Sequence, residues 1–248
     1  MRRYFIVAIA ILIIVWLARL AEAFPPVYVI NLDRSYDRRA LVGLQLGIHG
    51  VNYTRYPAID GKSYIFSKEE NDFYFSDPHW QKINKVNSVK GCALSHINVW
   101  RLAATNGAPY TIVMEDDIFP VLKFKELTKE SIAKLTDFDP EWEVLWLSGK
   151  DPEDRERVFS FQSHEIYRMN PPKYIGQGAV AYIISQKGLE LFIHNLRKNG
   201  CFEALDWFMF KTIHPQHAYG IHQPIVTYTD MVPSTIVPAN EFRGIVRN

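Results

Sequence analysis

Short apolar segments alternate with amphipathic ones along most of this chain, and that alternation restricts its fold more than any other property. "VYVINL" (27–32) reads as a strand and "SYDRRALVGLQLGI" (35–48) as a helix, with Ser35 as N-cap and Leu41, Leu44 and Ile48 on one face. "VNYTRYPAI" (51–59) is a second strand, stopped by the turn-forming pair Asp60-Gly61. Residues 62–88 are polar and aromatic without a clear period, which marks a surface insertion. In "GCALSHINVWRLAATNG" (91–107), Leu94, Ile97, Trp100 and Ala104 recur at helical spacing. "YTIVMEDD" (110–117) is a strand, 126–136 a charged helix and "EVLWLS" (143–148) a buried strand. "YIGQGAVAYIIS" (174–185) is a strand or hairpin, followed by a helix over "QKGLELFIHNLRKNG". The proline-punctuated tail from Ala218 suits edge strands or extended segments. Strands joined through helices predict an α/β domain with a mainly parallel central sheet covered on both faces. Ligands of such sheets bind beyond the C-terminal ends of the strands.

One such end carries Glu115, Asp116 and Asp117, directly after the apolar run and directly before "IFP". Three adjacent carboxylates repel one another, and beside a core they are costly unless something neutralises them. A solvated turn is one reading. A bound divalent cation is the other, and oxygen-only ligands suit a hard ion such as Mn²⁺ or Mg²⁺. Strand alternation points Glu115 and Asp117 one way and Asp116 the other. Glu115 and Asp117 are therefore the candidate metal ligands, able to share an ion that bridges a diphosphate. Asp116 is left to accept a ribose hydrogen bond or to orient a ligand, and is counted with the catalytic candidates. The chain has no GxxxxGK[ST] loop and no GxGxxG after its first strand, which removes the P-loop and the simplest dinucleotide reading.

Charge narrows the partners further. The 28 basic and 27 acidic residues nearly cancel, and no polybasic run exists beyond Arg2-Arg3, so nucleic acid is not an expected ligand. Cys92 and Cys201 form neither a disulfide framework nor a zinc-finger spacing, and are read as buried free thiols. Pairing of the two in an oxidising compartment stays open. At the N-terminus, two arginines precede an apolar run from Tyr4 to Ala18, with Ala21-Glu22-Ala23 offering a cleavage site. Residues 1–23 are thus a signal-anchor or a signal peptide, and the length and Ile/Val content favour the anchor. Either way residues 25–248 are expected across the membrane, on its lumenal or extracytoplasmic side, and secreted if the segment is cleaved.

Several segments taken together resemble glycosyltransferase family 25, the group of lipooligosaccharide and collagen galactosyltransferases. They are "VINLDRSYDRR" (29–39), "YPAIDGK" (56–62), "GCALSHINVW" (91–100), "IVMEDDI" (112–118), "GAVAYIIS" (178–185), "ALDWFMF" (204–210) and "QPIVTYTDMVPSTI" (223–236). Each is weak alone; their joint order and spacing carry the resemblance, which spans nearly all of the chain after residue 25.

The resemblance implies a GT-A-like nucleotide-sugar-binding fold and transfer of a hexose, galactose or glucose, from a UDP-sugar with Mn²⁺. The acceptor would be a hydroxyl on a glycan, a lipid-linked sugar or a protein. The metal would offset the charge of the departing diphosphate. Asn31, Leu32, Asp33, Arg34 and Arg38 match the family's first-strand motif, implying a donor-binding loop with Arg34 or Arg38 near the diphosphate. Ser95 and His96 match its L-S-H portion. Gly178, with Gly176, would let backbone approach the donor sugar. Asp206 matches a late aspartate and is the candidate general base. His214, His217 and His222 remain candidates for a late metal or phosphate ligand, and the tryptophans are expected mainly in the core. The alternative is an inactive relative acting as a binding or scaffolding protein.

Overall fold

The computed structural model describes residues 24–83, 86–149, 156–169 and 178–228, so the leader 1–23, Gly176 and the tail from 229 lie outside the described residues. The chain begins with β1 (Val27–Asn31), α1 (Tyr36–Ile48) and β2 (Thr54–Pro57). The stretch read as a surface insertion holds α2 (Lys68–Phe73), closed at its N-terminus by a Ser67–Glu70 capping box, and the 3-10 helix Pro78–Lys82. There follow α3 (Val86–Asn106), β3 (Tyr110–Glu115), β4 (Ile118–Pro120), α4 (Phe124–Phe138) and β5 (Val144–Trp146). A hairpin of β6 (Glu156–Phe161) and β7 (His164–Arg168) leads to β8 (Ala181–Ser185), α5 (Gln186–Asn199), α6 (Leu205–Thr212), β9 (Ala218–His222) and β10 (Val226–Tyr228).

Eight strands form one sheet in the order β2-β1-β3-β8-β5-β9-β7-β6, and β10 pairs separately with β4. The sheet is mixed rather than mainly parallel. β1 runs parallel to both β2 and β3, and β5 parallel to β9, but β8 is antiparallel to β3 and β5, and β7 to β9 and β6. Of the antiparallel pairs only β6 and β7 are joined by a short turn; β3 with β8, β5 with β8 and β7 with β9 pair across segments distant in the sequence. β9, expected at an edge because of nearby prolines, lies inside the sheet between β5 and β7, and its own five residues contain none.

Strand alternation divides the core into two layers. Tyr28, Ile30 and Val113 face α3, α5 and α6, in a cluster with Trp100, Tyr182, Phe192 and Phe208. Val29, Ile112 and Met114 face the other way, against Val42, Leu46, Phe124 and Leu135 of α1 and α4. Truncating a fully buried side chain such as Leu46 or Ile97 to alanine costs about 2–5 kcal/mol. The buried stripe of α1 is Arg38, Val42 and Leu46; Leu44 and Ile48, expected inside, are exposed, and Ser35 makes no side-chain cap. The stripe Arg38–Val42–Leu46 obeys the same four-residue period one step out of phase, and its first member is a cation because acidic groups await it there. Trp80, Trp100, Trp142 and Trp146 are all core residues, as expected. Among the described residues no helix is long and apolar enough to cross a membrane.

Candidate active site

β1 and β3 run in parallel, so the loop after Asn31 and the acidic triplet after Met114 emerge at the same end of the sheet. Between them and α3 lies a small cleft open to solvent, bordered by Leu32, Arg34, Arg38, Asp60, Cys92, Ser95, His96, Glu115 and Asp116. The strand stops at Glu115, so the alternation expected of the triplet does not extend past it. Glu115 continues the inward phase of Val113 and meets α3, where its Oε1 lies 3.4 Å from His96 Nε2 and 3.8 Å from Cys92 Sγ. Asp116 and Asp117 turn together toward α1. Arg38 Nη1 is 3.1 Å from Asp116 Oδ1 and 3.3 Å from Asp117 Oδ2.

The remaining first-strand residues are used mostly to hold this arrangement. Asn31 is buried; its Nδ2 donates to Asp116 Oδ2 (2.5 Å) and to the Ser35 carbonyl (3.1 Å), while its Oδ1 accepts from Arg55 Nε (2.9 Å). Arg55 also pairs with Asp33, which is exposed. Arg34 reaches Asp60 at 2.5 Å across the mouth of the cleft. Ser95 is buried with both capacities engaged: Oγ donates to the Gly91 carbonyl (2.7 Å) and accepts from the Ile59 N–H (2.8 Å). It therefore fastens the loop after β2 to α3. Gly178 has φ +68°, the left-handed region open to glycine, two residues before Val180, whose carbonyl accepts from the Glu115 N–H at 2.8 Å.

His96 is fully buried between Tyr182 and Glu115. The indole of Trp100 can only donate, and it does so to the Tyr182 hydroxyl at 2.8 Å. The same hydroxyl lies 2.9 Å from His96 Nδ1, and His96 Nε2 faces Glu115. Sequence reading found His96 but not Tyr182, Trp100 or Cys92 as its company, nor Arg55 as the partner of Asn31. The i, i+4 spacing of Cys92 and His96 was a signal available in the sequence.

Burial sets the protonation of the site. It pushes Asp117 up to about 7, reinforced by the charge of Glu115 and opposed by Arg38. Asp116 is also raised by burial, against the pull of Arg38 and Asn31. For Glu115 burial acts the same way, but His96, Arg38 and Cys92 outweigh it and hold the carboxyl below its ordinary value. Asp206, in the first turn of α6, is raised by burial and by the charge of Glu115, which places it in the same electrostatic field. It is not the N-cap, since Ala204 takes that position, and its Oδ1 accepts from the Trp207 N–H at 2.9 Å. The histidines at 214 and 217 are elsewhere: they pair with Glu143 and Asp139 at the opposite end of the sheet, beside the start of β5. His222 ends β9, three strands from β3.

A divalent cation fits these residues. Two carboxylates share the one guanidinium of Arg38 with Glu115 adjoining, and Asp117 Oδ1 is buried with no hydrogen-bond partner. Such an atom costs about 1–3 kcal/mol, more if charged, unless something binds it.

The chain matches the model of glycosyltransferase family 25, described as an LPS biosynthesis protein family, over residues 24–209. It is similar to the lacto-N-neotetraose biosynthesis glycosyltransferase LgtE of Neisseria meningitidis, 22% identical over 205 residues, covering 79% of this chain and 70% of that protein. A putative glycosyltransferase, R655, of Acanthamoeba polyphaga mimivirus is 27% identical over 176 residues, 67% of this chain and 52% of its own. Procollagen galactosyltransferase 1 of Danio rerio is 28% identical over 133 residues, 51% of this chain and 22% of its own. The chain thus spans about half of the second relative and about a fifth of the third. With the family's matched region enclosing the cleft, the triplet and Asp206, this chain belongs to glycosyltransferase family 25 and is a glycosyltransferase.

Proposed function

We propose that this enzyme moves a hexose, galactose or glucose, from a UDP-sugar to an acceptor hydroxyl on a glycan, a lipooligosaccharide or a protein, with Mn²⁺ or Mg²⁺ held by Glu115 and Asp117 in a GT-A-like donor site. The observation that carries the reading is Asp117 Oδ1, a buried carboxylate oxygen without a hydrogen-bond partner, next to Asp116 on the wall of the open cleft. Galactose is supported by the similarity to procollagen galactosyltransferase 1. When bound, the metal supplies Lewis-acid stabilisation of the departing diphosphate. The protein's own residues do the rest. Arg38 fixes Asp116 and Asp117 in one orientation, and Asn31 locks Asp116 from the other side. Arg34, on the cleft wall, presents its guanidinium where a diphosphate would lie, once released from Asp60. Asp206, raised by burial, accepts the proton of the attacking hydroxyl. Residues 1–23 are proposed as the signal-anchor that sets this domain beside the membrane.

The test is UDP release from UDP-galactose, UDP-glucose and UDP-N-acetylglucosamine with Mn²⁺, with UDP binding followed by calorimetry, for the wild type and Asp117→Ala. Metal-dependent binding that vanishes in the variant is expected. Equal binding by both proteins returns the triplet to a structural turn, and no UDP binding by the wild type overturns the donor assignment in favour of an inactive binding protein.

A further inference from the structure

Cys92 and His96 stand one helical turn apart on the face of α3 that looks onto Glu115. Their ligand atoms, Cys92 Sγ, His96 Nε2 and a Glu115 carboxylate oxygen, all lie within 4.8 Å of one another, the one such group of three among the described residues. The distances are informative. Tetrahedral zinc with bonds of about 2.1 Å to nitrogen and oxygen and 2.3 Å to sulfur separates N from O by about 3.4 Å and S from O by about 3.6 Å. The structure has 3.4 Å between His96 Nε2 and Glu115 Oε1, and 3.8 Å between Cys92 Sγ and the same oxygen. Two of the three edges thus match such a cage to within about 0.2 Å, the third, from Sγ to Nε2, is within 4.8 Å, and the cleft borders all three residues.

We propose that Cys92, His96 and Glu115 form a three-ligand site for a borderline divalent cation of the Zn²⁺ or Co²⁺ class, its fourth position open to the cleft. A thiolate and an imidazole select such ions over Mn²⁺ or Mg²⁺, which prefer oxygen alone. Three protein ligands with one open position is the pattern of a reactive rather than a closed structural zinc site. Tyr182, 2.9 Å from His96 Nδ1, is the outer partner that orients the imidazole. Binding one cation through Nε2 releases the Cys92 thiol proton to solvent and leaves the neutral imidazole with its proton on Nδ1. The Tyr182 oxygen then accepts from both His96 and Trp100, and its own proton turns away from the ring. Glu115 belongs to both this group and the acidic triplet, so a borderline ion here and a hard ion at Asp117 compete for it. The site itself does not depend on the transfer reading.

The test uses the reduced, metal-free full chain, titrated with Co²⁺ alone and then with Zn²⁺, without nucleotide or acceptor. One Co²⁺ per chain with an intense thiolate-to-cobalt charge-transfer band, bleached by equimolar Zn²⁺, is expected. The band should be lost in Cys92→Ser and kept in Cys201→Ser, which removes the chain's other thiol. Tyr182→Phe should weaken Co²⁺ binding about 10–100-fold. No charge-transfer band in the wild type overturns the site whatever the variants do, as does a band that survives in Cys92→Ser. A band lost in Cys201→Ser instead would place the cation elsewhere and overturn it too.

Discussion

Arg38 Nη1 lies 3.1 Å from Asp116 Oδ1, with both side chains almost fully withdrawn from solvent. A buried pair of this kind is a poor source of net stability, but removing one partner strands a charge in the interior. The pair therefore serves to place Asp116, and with it Asp117, at the cleft.

Arg38→Met should accordingly destabilise the metal-free protein by about 3–5 kcal/mol, read from urea unfolding. Arg38→Lys should recover only part of this, because one ammonium cannot reproduce the planar guanidinium that reaches two carboxylates. A loss below about 1 kcal/mol would mean that the pair is already screened by water.

Asp206 tests the chemistry separately from donor binding. Asp206→Asn keeps an acceptor oxygen for the Trp207 N–H but cannot take a proton. Turnover should fall about 10²–10⁴-fold with UDP affinity unchanged. Equal losses in affinity and turnover would make Asp206 a binding group instead.

Gly91 is required by a close approach. A Cβ there would sit 2.5 Å from the Ile59 carbonyl oxygen and 2.8 Å from the Gly61 nitrogen, both backbone atoms. Gly91→Ala should cost about 1–3 kcal/mol and also weaken nucleotide binding, because the displaced loop carries Asp60. An unchanged urea midpoint would show that the loop yields freely.

Asp60 supplies a pH signature. Its carboxyl is held below the ordinary value, chiefly by the hydrogen bond from Arg34 and against partial burial. A depressed folded-state pKa contributes stability that is present above the unfolded value of about 4 and lost as pH falls through the folded value. The stability gap between the wild type and Asp60→Asn should therefore be widest near neutral pH and close on acidification below about 4. A gap constant from pH 7 downward would remove the Arg34–Asp60 pair from the account.

The elements were legible because their causes are local. The three-residue spacing of Leu94, Ile97 and Trp100, the turn at Asp60-Gly61 and the apolar run before Glu115 each act within one turn or one strand, and each appears where expected. The triplet's place at a strand end, facing the loop after β1, followed from the same alternation. Strand direction did not. β8 runs antiparallel to β3, and nothing within "AVAYIIS" encodes that. Partnership between distant side chains was equally invisible. Asn31 reads as a ligand group when seen alone, yet it is spent on Asp116, 85 positions away, and Ser95 on the loop at Ile59. Cys92 reads as an inert thiol until α3 lays it beside Glu115. Periodicity is a property of neighbours along the chain, whereas charge pairing and ligand geometry depend on which segments the folded core brings into contact.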